Sequence, residues 1–125
     1  MALTRSQIRN RINSLTRQKN NYVNERNKYK DSLNYANRLV RNLSSSINYL
    51  NTSNDYMKSY FTINNKTADG GEINKTKEQI HQIVKKINNT IIPNINNNIS
   101  NLNNRITKID REISVLRRQY ETAEA

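Results

Sequence analysis

Cysteine and tryptophan are both missing from this chain, which also has one histidine, one proline and two glycines. Without cysteine there is no disulfide framework, no thiol nucleophile and no thiolate zinc site. The lone histidine, His81, has Gln79, Gln82 and Lys85 as neighbours, and no second histidine or cysteine exists to join it. The ten Asp and Glu residues are scattered, and none falls at a metal-ligand spacing. Asp69 and Glu72 flank Gly70-Gly71, but that stretch lacks the alternating oxygen ligands of a calcium loop and has no phosphate-loop pattern. Catalysis, metals and cofactors are therefore not expected. Two glycines and one proline supply few turns, which argues against a sheet protein. No apolar run approaches the length of a membrane span. The opening residues, MALTRSQIRNRINSL, have an Arg by position 5 and no apolar core, so an ordinary signal peptide is not expected either.

Apolar residues are scarce as well. They make up 34% of the 125 residues, too few for a ball but enough for a stripe along a rod. What fills the chain instead is asparagine, 24 in all. Asparagine favours helices poorly because its side chain competes for the backbone. In bulk it can signal disorder, but the regular Ile and Leu placement argues against that. The six Asn-x-Ser/Thr triplets, such as Asn42-Leu43-Ser44, are expected by chance at this asparagine content. Net charge is +11, and residues 1–30 carry eight Lys/Arg against Glu25 alone. Residues 105–118 add five more cations against Asp110 and Glu112.

The stripe is explicit. Ile8, Leu15, Tyr22, Tyr29, Ala36, Leu43, Leu50 and Met57 recur every seven residues. A second row runs Ile12, Leu33, Val40, Ile47 and Phe61, with Lys19, Arg26 and Asn54 in its gaps. Two rows offset by three and four mark a helix packed on another helix. One uninterrupted helix is expected over about 3–61, with Thr4 or Ser6 as its N-cap. The segment TINNKTADGG, 62–71, contains Gly70 and Gly71 and reads as the turn. A second helix is expected over about 72–120, followed by a tail at 121–125. Its seam begins Ile73, Ile80, Val84, Ile87 and Ile91 and slips at Pro93, while apolar residues at 92, 95, 99 and onward to Tyr120 alternate cleanly in threes and fours. Proline removes a donor and crowds the preceding turn, so a kink or a break is expected near 89–93.

These elements predict a single all-α domain over 1–125, a long antiparallel helical hairpin or two-helix coiled coil. Both basic segments then meet at one end, with Arg5, Arg9, Arg11, Arg17, Lys19, Arg117 and Arg118 at that end and Ile12 near residue 120. Two stripes leave much apolar surface half wet, so a four-helix bundle with a partner is expected, or a homodimer in isolation. The first helix is also too apolar in its middle for one neighbour. Tyr35, Tyr49 and Tyr56 form a further row beside Leu39, Val40 and Ile47. This is either an amphipathic cover over the seam or a docking face for another chain, where aromatics are enriched.

A hairpin of this size that closes on Tyr120-x-x-x-Glu124 resembles the small helical proteins of the ESX-like type VII secretion system. Members of the WXG family carry Trp-x-Gly in the turn; here the turn reads YFTINNKTADGG, with Tyr60 or Phe61 in place of the Trp. The chain is more similar to the longer helical proteins that accompany LXG toxins in Gram-positive bacteria, in INSLTRQKN, TINNKTADGG and IVKKINNTIIPNINNNISNLNNRI. The resemblance implies a non-enzymatic adaptor that packs along the helical LXG region of a toxin, with or without a second small helical protein. It also implies Tyr120 and Glu124 as an export signal, and a cytoplasmic protein that leaves by a Sec-independent route. Two other readings stay open. One is a basic coiled coil that binds nucleic acid or an anionic surface, although no nucleic-acid motif is present. The other is a structural coiled coil.

Overall fold

A computed structural model describes residues 2–61 and 71–124, with side chains described for 2–56 and 72–124. Among them the fold is all-α, as expected, and contains no strand. Helix α1 spans Arg5–Phe61, helix α2 Gly71–Lys86 and helix α3 Ile92–Thr122; a π-helical turn, Ile87–Ile91, joins the last two. Gly71 is the first residue of α2. Gly70 and the rest of the expected turn lie outside the described residues. The last helix runs two residues past Tyr120, which shortens the expected tail.

Thr4 starts α1. Its Oγ1 accepts from the Gln7 N–H at 3.2 Å, and Gln7 Oε1 accepts from the Thr4 N–H at 2.9 Å. This reciprocal pair is a capping box, which satisfies two otherwise orphaned donors. Leu3 and Ile8 line one groove, the apolar staple that accompanies such a box. Ile8 is the most deeply buried side chain described, 1% exposed.

Burial follows the predicted seams. On α1 every position from Ile8 to Asn54, in alternating steps of four and three, is buried or half-buried. The three polar gap-fillers Lys19, Arg26 and Asn54 lie on this ladder, and Asn54 is 6% exposed. In the second arm the ladder runs 73, 77, 80, 84 and 87, then 92, 95, 99 and onward to Tyr120 in threes and fours. The single step of five, from Ile87 to Ile92, coincides with the π-turn.

Pro93 accounts for that step. It has no N–H to donate and its ring crowds the carbonyl of Asn89, four residues back. The Ile92 N–H bonds instead to the Ile87 carbonyl, five residues back, the pattern of a π-bulge. Lys86 and Ile92 on either side keep right-handed helical backbone angles, so the helix does not break. The expected seam placed Ile91 inside. The extra residue rotates it outward, to 39% exposed, and Ile92 takes its place.

The chain divides into two compact units, residues 1–32 with 95–125, and residues 33–94. In the first, Arg5 reaches residue 123, Arg9 residue 120, Lys19 residue 110 and Arg26 residue 103. Position falls on one helix as it rises on the other, so the arms are antiparallel. Ile12 shares a groove with Tyr120, its expected neighbour. Ile8, Leu102, Ile106, Ile109, Ile113 and Leu116 form the buried core of this unit. In the second unit Ala36, Ile87 and polar Asn54 are the buried residues among those described.

The π-turn makes a sharp prediction. Deleting Asn89 together with Pro93→Ala turns the step of five into four and leaves both ladders in phase, so helicity and melting temperature hold. Deleting Asn97 rotates the whole core ladder of α3 and costs more than about 3 kcal/mol, comparable to losing a large core side chain. Circular dichroism melts of the two deletion variants check this.

Candidate partner interface

Seam positions facing another helix leave two flanks on each helix. In the first unit these flanks differ. Residues that follow a seam position make polar contacts across the pair. Lys19 and Asp110 form an ion pair at 2.6 Å. Arg26 Nη1 donates to Asn103 Oδ1 at 3.0 Å. Both pairs put a cation on the ladder of α1 against a polar side chain beside the ladder of α3. The Lys19–Asp110 pair is open to solvent on both sides, so its contribution is small. Arg26 is costlier, because its Nε is buried with no hydrogen-bond partner.

Tyr120 closes the same end. Arg9 Nη2 donates to its hydroxyl at 2.8 Å. The guanidinium carbons of Arg5 and Arg9 lie 5.4 and 5.8 Å from the ring centroid, within cation–π range. Arg5 also donates from Nε to the Ala123 carbonyl at 3.1 Å, and its backbone N–H to the Glu124 carbonyl at 3.3 Å. Its charge thus sits at the negative C-terminal end of α3. The hydrogen bond from Arg9 and then its charge hold the Tyr120 phenol below its ordinary value of 10.0; partial desolvation opposes this and the Arg5 charge adds to it. A lowered phenol means that stability from the tyrosinate is present above the unfolded value and lost as pH falls through the folded one. In the structure the Tyr120 hydroxyl accepts from Arg9, and its ring faces both guanidinium groups.

The proposed export residues are thus brought to the start of α1. Tyr120 is half-buried on the ladder, and Glu124 is exposed with its backbone carbonyl engaged by Arg5. The basic segments do meet. The unit of residues 1–32 and 95–125 has thirteen Lys/Arg against six Asp/Glu, a net +7 of the chain's +11. Arg5 and Lys19 are tied into contacts, Arg9 is held by Tyr120, and Arg11, Arg17, Arg117 and Arg118 are exposed.

The suggested docking residues fall in the second unit and separate into two groups. Val40 and Ile47 lie on the ladder and are half-buried. Tyr35, Tyr49 and Tyr56 are 63%, 73% and 70% exposed, and Leu39 is half-buried beside them. Periodicity alone did not single out Ile83, 49% exposed, or Ile91 as companions. One signal was available: each of the five exposed residues immediately precedes a ladder position. His81 is exposed. Among the described residues no group of three or more His, Cys, Asp or Glu is placed to hold a metal, and no helix is long and apolar enough to cross a membrane. No family model, no curated protein and no solved structure matches this chain.

Two measurements follow. Absorbance titration of the chain minus that of Tyr120→Phe reports Tyr120 ionising below pH 10.0, and Arg9→Ala moves that transition upward. Arg26→Met removes a buried unsatisfied donor while keeping the stem, and stabilises the chain by about 1 kcal/mol in a denaturant titration.

Proposed function

We propose that this protein is a non-enzymatic helical adaptor that packs along the helical LXG region of a toxin and supports its export by type VII secretion. The observation that carries the reading is the imbalance in residues 33–94. That unit buries Ala36, Ile87 and Asn54 among its described residues, yet exposes Tyr35, Tyr49, Tyr56, Ile83 and Ile91. Each exposed residue sits one position ahead of the ladder, which turns it to the same side of its own helix. When two antiparallel seams face one another, those sides adjoin, as flanking positions do in coiled coils. The result is an aromatic and aliphatic strip beside a thin core, suited to further helices. The partner's helices complete a bundle of four; a second copy takes their place when the partner is absent. Tyr120 and Glu124 serve as the export signal, held next to Arg5 and Arg9, and the protein is cytoplasmic until it leaves by a Sec-independent route.

The net +7 of residues 1–32 and 95–125 favours a second reading, a surface for nucleic acid or another polyanion. Against it, Arg5, Arg9, Lys19, Arg26 and Arg105 are already engaged by groups within the chain.

Co-expression with an LXG toxin encoded beside it is expected to yield a complex that survives moderate salt. Tyr35→Ser and Tyr49→Ser together weaken that complex by more than about 30-fold, as the loss of an aromatic hot spot does, and leave the melting temperature of the free chain unchanged. Glu124→Ala with Tyr120→Ala blocks export but not complex formation. Retention of duplex DNA with a steep salt slope, and no toxin complex, contradicts the reading.

A further inference from the structure

The unit of residues 1–32 and 95–125 has its own groove on the flank that precedes the ladder. It encloses about 510 Å³, and its lining includes Leu3, Arg11, Lys108, Arg111, Glu112, Val115 and Leu116. A second, smaller groove of about 220 Å³ shares Lys108 and Glu112 with it and contains Tyr22 and Arg105. The first groove has an apolar floor. Leu116 is buried, while Leu3 and Val115 are 40% and 48% exposed, although both are large apolar side chains. Its rim is cationic: Arg11 from one helix, Lys108 and Arg111 from the other, against one carboxylate, Glu112. Down α3 the lining recurs at 105, 108, 112, 115 and 119, in threes and fours, the repeat of one helix face.

An apolar floor between rows of cations selects an amphipathic ligand of opposite charge. A helix laid between two others places its own three-four ladder on the floor and its flanking residues over the rim, where charge sets partner choice. A phosphodiester chain makes no use of Leu3 and Val115. We propose that this groove binds an acidic amphipathic helix of the partner, with Leu or Ile on its ladder and Glu or Asp on its flanks opposite Arg11, Lys108 and Arg111. The proposal rests on the adaptor reading, whose partner it specifies by charge and whose contact it places apart from the tyrosine strip.

The test uses the full chain and two labelled synthetic helices of about three heptads, identical in their Leu/Ile ladder, with either Glu or Lys flanks. A duplex DNA of similar length is the third probe. Anisotropy titrations are expected to show the Glu helix binding at least tenfold tighter than the Lys helix, and the preference weakening as salt rises. Arg11→Glu with Arg111→Glu inverts the preference, and Val115→Asn weakens both helices. The substituted residues Arg11, Arg111 and Val115 are all exposed, and circular dichroism checks that the variants keep their helices. Equal binding of the two helices overturns the proposal. So does DNA binding that depends on Arg11 and Arg111 but not on Val115, which marks a polyanion site. A toxin complex indifferent to Arg11→Glu/Arg111→Glu sinks the groove but leaves the adaptor standing; a Glu helix bound in the groove without any toxin complex does the reverse.

Discussion

The structure depends on one constraint: two ladders of apolar side chains, spaced alternately three and four, must stay in phase along helices that otherwise have little reason to be helical. Asparagine contributes almost nothing to helix formation, and long polar helices are marginal without tertiary packing. Burial along the ladder is what offsets this. In residues 1–32 and 95–125 the ladder of α3 is nearly dry from Leu102 to Leu116. A proline in mid-helix threatens the phase, and the π-turn at Ile87–Ile91 absorbs it. One added residue places Ile92, not Ile91, on the ladder, and the pattern then continues to Tyr120 without another irregularity.

Polar residues on that ladder trade stability for specificity. Lys19, Arg26 and Asn54 each occupy a position that an apolar residue would stabilise better. A polar side chain at such a position favours the one register in which it finds a partner. Lys19 finds Asp110, and Arg26 finds Asn103 with one donor left unsatisfied. The exposed Tyr35, Tyr49, Ile83 and Ile91 are the counterpart of this economy: apolar surface placed beside the seam where it does little for the isolated chain. An adaptor that completes its core with another protein's helices would be built in this way.

Much of this could be read from the residues. The all-α class, both ladders, the polar gap-fillers and the Thr4 cap follow from spacing and from capping chemistry. The phase at Pro93 stayed open, because Ile91 ends the run before it and adjacent, equally apolar Ile92 begins the run after it, and only the missing proline N–H decides between them. The Tyr120 clamp was equally hidden. It depends on which α1 arginines come level with residue 120, and that is fixed by the register of the pair. Sidedness was legible in principle, since Tyr35, Tyr49, Tyr56, Ile83, Ile91 and Val115 all immediately precede a ladder position, but it acquires meaning only once the arms are known to be antiparallel. The proposed type VII role rests on resemblance and on the exposed strip together.

Spin labels at Gln18 and Lys108 test the antiparallel pairing most directly. Both residues are exposed and line one groove, so labelling spares the ladder. Pulsed dipolar spectroscopy on the free chain should give one narrow, short distance. A broad or long distribution would mean that the arms do not pair through their seams in solution, and both the strip and the groove would lose their basis.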